Sequence, residues 1–216
     1  MGLAAPQPNV PNNEEWSLTR LAFNIHNSID VNRTSFPRVS PTANGDSVVK
    51  WNCSNHEYYI LNVDGSCLGN PQRCGFGVLL RNNASFFVSG FSGYIAISTD
   101  ILLAELYAIF HGLQMVSALG ISDFVCYSDS LLSIILINGP PLKFHLYATL
   151  IQDIKDLLIL TNTHVLHTLR EGNYCDDILA KLGAASDSGL TNYVSPSEGL
   201  LPLIRYDARG TYFLRG

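Results

Sequence analysis

Residues 58–71 read Y-Y-I-L-N-V-D-G-S-C-L-G-N-P, and this stretch decides the fold. An apolar run typical of a buried strand ends in a carboxylate, Asp64, and the turn-forming residues Gly65, Gly69 and Pro71 follow. A carboxylate at the end of a buried strand is costly unless a cation or a hydrogen-bond network meets it. An aspartate that merely starts a turn explains the same letters. The rest of the chain has to decide between these two interpretations.

Three more acids stand at the ends of predicted elements. Asp129 ends the apolar run 124–128, and Asp177 lies in the first turn of a helix that follows R-E-G-N at 170–173. Glu105 lies near the start of a helix with one apolar stripe, formed by Leu102, Leu106, Ile109, Leu113 and Val116. Each position has an ordinary explanation by itself, since acids favour the first turn of helices.

The order of the predicted elements indicates an α/β fold with a five-stranded mixed sheet flanked by helices. Three antiparallel strands come first, and helical crossovers make the later strands parallel to strand one. Asn82 and Asn83 predict a tight hairpin turn between strands two and three. Asp64 and Asp129 would then lie at the carboxyl ends of neighbouring parallel strands, where open α/β sheets hold their sites. The predicted strands are 58–64, 75–81, 85–93, 123–128 and 164–169; the predicted helices are 98–119, 130–137, 142–160 and one after residue 173.

The composition fits one domain preceded by an extension. With 47% hydrophobic and only 14% charged residues, the 216-residue chain can bury a sizeable core. Residues 1–50 are rich in Pro, Asn and Ser, and only residues 16–29 could form a short amphipathic helix. We therefore predict a largely disordered or loosely structured extension at 1–50 and the folded domain at 51–216.

The chain shows no sign of a membrane or secretory destination. We find no apolar run near the ~20 residues that cross a bilayer, and the first residues lack the basic start and apolar centre of a signal peptide. Five cysteines are an odd number without C-x-x-C spacing. This predicts reduced thiols in an intracellular compartment, nucleus or cytoplasm, and argues against a zinc site.

Taken together, the four acidic motifs resemble the type 1 ribonuclease H family. They occur in the family's order: D-G-S-C-L-G-N-P with Asp64, A-E-L with Glu105, S-D-S with Asp129, and N-x-x-x-D-x-L-A-K with Asp177. The run H-T-L-R-E-G-N-Y-C-D-D-I-L-A-K and the tail L-L-P-L-I-R-Y-D-A-R-G-T-Y-F-L-R look more like the ribonuclease H-type domain of plant non-LTR retrotransposons and their relatives. The resemblance covers roughly residues 50–216.

This resemblance implies a ribonuclease H-like fold and a metal-dependent endonuclease. The family hydrolyses the RNA strand of RNA–DNA hybrids with two metal ions and leaves a 5′-phosphate. By resemblance, Asp64 bridges both ions, Glu105 and Asp129 complete their ligand sets, and Asp177 holds the second ion. Mg²⁺ suits such oxygen ligands, as does Mn²⁺. The chemistry agrees, because four crowded carboxylates repel one another unless cations compensate them.

The resemblance also implies roles for residues outside the carboxylates. His167 matches a mobile family histidine associated with proton transfer or product release, although it could simply end a partly exposed strand. Cys67, Gly69 and Asn70 match family positions at the RNA minor groove, where 2′-hydroxyls distinguish RNA from DNA, and backbone groups near Gly65 and Ser66 could contact them likewise. The alternative for this block is turn chemistry alone.

Two departures from the family keep a second function open. Only 47 residues separate Asp129 from Asp177, with Lys143 and Lys155 as the only lysines, so the basic protrusion that grips the hybrid in some cellular enzymes is missing. A reverse transcriptase or another protein would have to supply that grip.

Asp176 is the second departure. It stands where the plant pattern usually has Ala, and could perturb the metal site or face solvent. The alternative is therefore a catalytically weak, retroelement-derived domain that binds nucleic acid or a partner. Integrase-like strand transfer is disfavoured, because its late Glu is replaced by Asp177.

Overall fold

The structure is a computed structural model that describes residues 48–50, 58–96, 98–196, 199–208 and 212–214. The helix predicted at 16–29 lies outside the described residues, as does nearly all of the predicted extension. The division of the chain at residue 50 therefore stays a prediction.

A six-stranded mixed sheet forms the centre of the fold, with strand order β6-β5-β2-β3-β4-β7. Strands β2, β3 and β4 form an antiparallel meander, β5 and β6 run parallel to β2, and β7 pairs antiparallel with β4. The predicted mixed α/β sheet flanked by helices is confirmed, but it has six strands rather than five. The sequence analysis missed β7 because the three residues T-N-Y carry no apolar alternation. The main-sheet strands are β2 Tyr59–Leu68, β3 Arg73–Arg81, β4 Phe87–Ile95, β5 Phe124–Ser128, β6 Val165–His167 and β7 Thr191–Tyr193.

Five helices and a second small sheet complete the described architecture. The predicted helix at 142–160 begins only at Ala148, and the sequence analysis did not predict the last helix. Strands β1 (Val48–Lys50) and β8 (Tyr212–Leu214) pair antiparallel as a separate two-stranded sheet. The helices are α1 Ile101–Ala118, α2 Leu131–Asn138, α3 Ala148–Leu160, α4 Tyr174–Ala185 and α5 Leu200–Ala208, with a 3₁₀ turn at Arg170–Gly172.

Asp64 lies in the interior of β2 rather than at its end, which corrects the predicted strand 58–64. The antiparallel partner β3 continues the pairing to Leu68, opposite Arg73. The parallel partner β5 ends earlier, with Ser128 opposite Val63. Asp64 is therefore the first residue of β2 beyond the parallel pairing. Asp64 therefore lies at the carboxyl edge of the parallel strands, as expected, although β2 itself continues to Leu68.

The connection between β3 and β4 is a longer loop than the predicted Asn82-Asn83 turn. The Oδ1 of Asn82 accepts hydrogen bonds from the backbone N–H groups of Ala84 (3.0 Å) and Phe86 (2.9 Å). Ser85 adopts a positive φ of 65° inside this loop. The asparagine side chain thus replaces ladder hydrogen bonds and organises a wider turn.

The helices cover opposite faces of the sheet. α1 packs on one face against Leu61 and Val63, while α4 packs on the other face against β3. Gly75 and Gly77 allow this second contact, because a Cβ at Gly75 would lie 2.1 Å from the backbone nitrogen of Ala184. Among the described residues, α1 is the one helix whose length and hydropathy suit a membrane span, which the sequence analysis did not anticipate. Here it is a core helix with nine buried residues.

Cys67 and Cys74 form a disulfide, contrary to the predicted reduced thiols. The two residues are direct partners in the β2–β3 register, so the antiparallel pairing brings their side chains together. Cys126 and Cys175 are free and buried. The physical reason for the error is that spacing along the chain cannot reveal a cross-strand pair before the register is known.

Candidate metal centre

Three of the four predicted carboxylates meet at one place. Asp64 comes from the middle of β2, Glu105 from the start of α1, and Asp129 directly follows β5. One ligand oxygen from each lies within 4.8 Å of the other two. Two neighbouring strands and the helix α1 therefore converge on a carboxylate cluster, defined here as Asp64, Glu105 and Asp129.

Gly65 explains how Glu105 reaches the sheet. A Cβ at Gly65 would lie only 2.5 Å from the backbone nitrogen of Glu105, so only glycine lets α1 approach β2 this closely. The Gly65 N–H donates a hydrogen bond to Glu105 Oε2 at 3.2 Å. The start of α1 is anchored by Asp100, which accepts from the Leu102 N–H (2.9 Å) and from the Tyr147 hydroxyl (2.5 Å).

Asp129 is held by its backbone while one of its carboxylate oxygens remains available. The backbone carbonyl lies 3.2 Å from Nε2 of His167, on β6. The side-chain oxygen Oδ1 of Asp129 is buried and has no hydrogen-bond partner among the described residues. A buried, unpartnered carboxylate oxygen is costly in the protein alone. A cation bound at this place would remove that cost.

Asp177, the fourth predicted acid, stands beside the cluster but is not within its 4.8 Å group. Its backbone N–H donates to the Asn173 carbonyl at the start of α4 (3.1 Å). Lys181 Nζ lies 2.5 Å from its Oδ2, and Arg170 Nη2 lies 3.6 Å from its Oδ1. Its charge nevertheless contributes to the raised pKa of Asp64. The sequence analysis missed both cations, although the i,i+4 spacing from Asp177 to Lys181 could have indicated one of them.

Burial and mutual repulsion dominate the electrostatics of the carboxylate cluster. Burial, followed by the charges of Glu105, Asp129 and Asp177, raises the pKa of Asp64 to about 11. Burial and then Asp129 hold the pKa of Glu105 well above its usual range, against smaller opposing effects of the Gly65 hydrogen bond and Arg170. The cluster therefore favours ionisation only when a cation joins it.

The donor set fits a divalent metal ion. All three side chains offer carboxylate oxygens, the ligands that Mg²⁺ and Mn²⁺ prefer. Asp129 also carries the buried Oδ1 that has no hydrogen-bond partner among the described residues. Bound cations reverse the local cost of ionisation. The three ligand oxygens already lie close enough together to hold such an ion.

The raised pKa values predict an inverted pH dependence for the metal-free protein. The folded state keeps protons on Asp64 and Glu105 that the unfolded chain releases above the ordinary aspartate value of 3.8. Its stability should therefore fall as pH rises from there toward about 11. Mg²⁺ should raise the unfolding temperature more at about pH 8 than at about pH 5, because it favours the deprotonated carboxylates.

Thermal unfolding at both pH values, with chelator or with Mg²⁺, measures this dependence. Asp64→Asn should flatten the pH slope of the metal-free protein, because the substitution removes one of the carboxyl groups whose pKa the fold raises. A metal-free unfolding temperature that rises between the two pH values would contradict the electrostatic account.

The predicted substrate residues occupy different environments. Ser66 is buried on β2, and Cys67 is committed to the disulfide. Asn70 is exposed in the turn after β2, next to Gly69 with its φ of 78°. The Gly65 N–H is directed at Glu105, so it serves the carboxylate cluster.

Asp176 is fully buried, which corrects the alternative that it faces solvent. Burial holds its pKa well above the usual range, and the nearby Arg81 opposes this shift. Arg81 belongs to a buried polar network with Asn62, Asn173 and Asp207 that the sequence analysis missed. The sequence shows only an arginine at the end of an apolar strand, and its burial becomes visible in the fold alone.

The mixed sheet and the carboxylates at the end of its parallel pairing define a ribonuclease H-like fold. The family described as reverse transcriptase-like matches residues 62–183, more than half of the chain. The protein belongs to this family. No curated relative matches the chain.

Solved structures share the fold at low identity. RNase H1 from the halophilic archaeon Halobacterium salinarum has a TM-score of 0.51 at 22% identity, covering 58% of this chain and 96% of its own. LC11-RNase H1, isolated from compost and solved with an RNA/DNA hybrid, has a TM-score of 0.53 at 23% identity, and the match covers 59% of this chain and 96% of its own. The N-terminal RNase H domain of a Mycobacterium tuberculosis protein has a TM-score of 0.52 at 21% identity, and the match covers 59% of this chain and 93% of its own.

Proposed function

We propose that the protein is a metal-dependent endonuclease that hydrolyses the RNA strand of RNA–DNA hybrids. The observation that carries this proposal is the convergence of one carboxylate oxygen each from Asp64, Glu105 and Asp129 within 4.8 Å of one another. The buried Asp129 Oδ1, which has no hydrogen-bond partner among the described residues, adds support. The shared fold of LC11-RNase H1, which binds an RNA/DNA hybrid, supports the choice of substrate.

In this proposal the carboxylates hold divalent metal, and Asp177 contributes to a second ion. Two Mg²⁺ ions, or Mn²⁺, would activate water and stabilise charge on the leaving oxygen. Lys181 and Arg170 would balance Asp177 and keep its carboxylate oriented while the metal site is filled. The chain's own contribution is to assemble these oxygens in advance, so that little reorganisation accompanies the reaction.

His167 is proposed to move a proton. A carbonyl only accepts hydrogen bonds, so the contact with the Asp129 carbonyl assigns the ring proton to Nε2 and makes Nδ1 the basic nitrogen. Burial lowers the pKa of His167, which favours the neutral ring near neutral pH. Asn70, which is exposed in the turn after β2, is the proposed side-chain contact to the RNA 2′-hydroxyls, and Ser66 and Cys67 are proposed as neighbouring contacts.

One observation favours the alternative of a catalytically weak binding domain derived from a plant-type retroelement. Lys155 donates to the Gly139 carbonyl at 2.6 Å, so one of the two lysines between Asp129 and Asp177 is used inside the fold. Weak electrostatic grip lowers affinity for a polyanion at physiological salt. A reverse transcriptase or similar partner would then deliver the hybrid.

Cleavage of labelled duplexes by the purified full chain tests the proposal. We expect the RNA strand of an RNA–DNA hybrid to be cut at low salt with Mg²⁺ or Mn²⁺, leaving 5′-phosphates, while chelator stops the reaction. Single-stranded RNA, duplex RNA and duplex DNA are the matched substrates. Hybrid binding without metal-dependent cutting would favour the alternative, and equal cutting of single-stranded RNA would contradict hybrid specificity.

A further inference from the structure

A buried ion pair lies on the face of the sheet opposite α1. Arg81, the last residue of β3, is 0% exposed, and its Nη1 lies 2.6 Å from Oδ2 of Asp207 on α5. The other terminal nitrogen, Nη2, donates to Oδ1 of Asn62 on β2 at 2.7 Å. The guanidinium thus joins the C-terminal helix to the central strand.

The hydrogen bonds continue from Asn62 to the backbone beside the carboxylate cluster. Asn62 Nδ2 donates to Asn173 Oδ1 at 3.3 Å, and Asn173 Nδ2 donates to the carbonyl of Val63 at 3.1 Å. Val63 immediately precedes Asp64. The backbone carbonyl of Asn173 accepts from the N–H of Asp177. One connected set of contacts therefore ends next to two of the predicted metal ligands.

Only one assignment of donors and acceptors fits all the hydrogen bonds in this set. A guanidinium only donates, so it requires the oxygen of the Asn62 amide to face Arg81. The nitrogen of that amide then faces Asn173 and selects the oxygen of the second amide. The remaining nitrogen must donate to Val63. Arg81 thereby determines the orientation of both asparagines.

Stability alone is a poor explanation for this arrangement. Removing two charges from water is costly, and proteins with apolar replacements of buried ion pairs are often as stable or more stable. An apolar pair at 81 and 207 could anchor α5 equally well. It could not orient Asn62.

We propose that Arg81 and Asp207 are positioning residues for the metal centre: Asp207 orients the guanidinium, Arg81 orients Asn62 and Asn173, and these hold the backbone that carries Asp64 and Asp177. The inference rests on the proposed function only in treating these carboxylates as metal ligands.

The decisive variant is the apolar double replacement Arg81→Met/Asp207→Leu, which removes both members of the ion pair together. We expect a urea midpoint close to wild type, a Kd for Mg²⁺ or Mn²⁺ weakened about tenfold, and a kcat lowered about tenfold with little change in KM; loss of groups that orient metal ligands typically has effects of this size. Calorimetric metal titration of the full chain provides the readout that does not depend on activity.

Asp187→Asn is the matched control, because Asp187 pairs with Arg73 at the other end of β3 and its side chain is 94% exposed. It should leave metal affinity and kcat unchanged. Wild-type metal affinity and kcat in a folded double variant would overturn the inference and leave the pair only a structural role.

Asn62→Asp decides the question if the double variant does not fold. Aspartate is isosteric and still accepts from Arg81, but it has no donor for Asn173. A roughly tenfold loss of kcat without tighter metal binding supports the positioning role of these hydrogen bonds, and a wild-type kcat overturns it.

A wild-type protein that binds metal but cuts no hybrid would contradict the proposed function alone. Failure of the wild type to bind either metal would overturn both.

Discussion

Replacing Asp64 by asparagine is expected to lower the rate of metal-dependent hybrid cleavage by about three orders of magnitude. Asp64 is the residue of the carboxylate cluster on the central strand, and its oxygens face Glu105, Asp129 and Asp177. Metal ions contribute several kcal/mol of charge stabilisation in such reactions, and a loss of about 4 kcal/mol corresponds to a factor of about a thousand. Single-turnover cleavage of a labelled hybrid in Mg²⁺ measures this loss.

Stability separates this loss from misfolding. Asp64→Asn removes a carboxylate that is buried among like charges, so the metal-free variant should unfold at an equal or higher temperature than wild type. Asp153→Asn, on the exposed side of α3, is the matched control and should leave cleavage unchanged. Cleavage by Asp64→Asn within tenfold of wild type would remove Asp64 from the metal centre.

Replacing Gly77 by alanine is expected to destabilise the fold by about 3 kcal/mol or more. The new Cβ would lie 2.4 Å from the backbone nitrogen of Ala180 and 2.6 Å from the carbonyl oxygen of Asp176. Both atoms belong to the backbone of α4, so no flexible side chain can move aside. The helix that carries Asp177 would have to shift away from β3, and metal affinity should fall with stability.

Urea unfolding monitored by circular dichroism measures this change. Gly189→Ala is the matched control, because nothing lies within 4 Å of a Cβ at that position. It should change stability by less than about 0.5 kcal/mol. A Gly77→Ala protein as stable as this control would show that α4 does not pack against β3 as closely as described.

The carboxylate cluster was predictable because each acid has a local signature. Asp129 ends an apolar run, and Glu105 lies near the start of a helix with an apolar stripe. Such periodicities depend on neighbours a few residues away, which are visible in the chain itself. The same reasoning failed where another part of the chain decided the outcome, as when β3 extended the pairing of β2 past Asp64.

The sequence by itself determined the type and order of most elements, because hydrophobic period and end signals act within a few residues. Only the tertiary structure decided the Cys67–Cys74 pairing and the network that joins Asn62, Arg81 and Asp207. The contacts of that network span up to 126 positions along the chain. No local pattern encodes them, since they exist only after the sheet register and helix packing have brought those residues together.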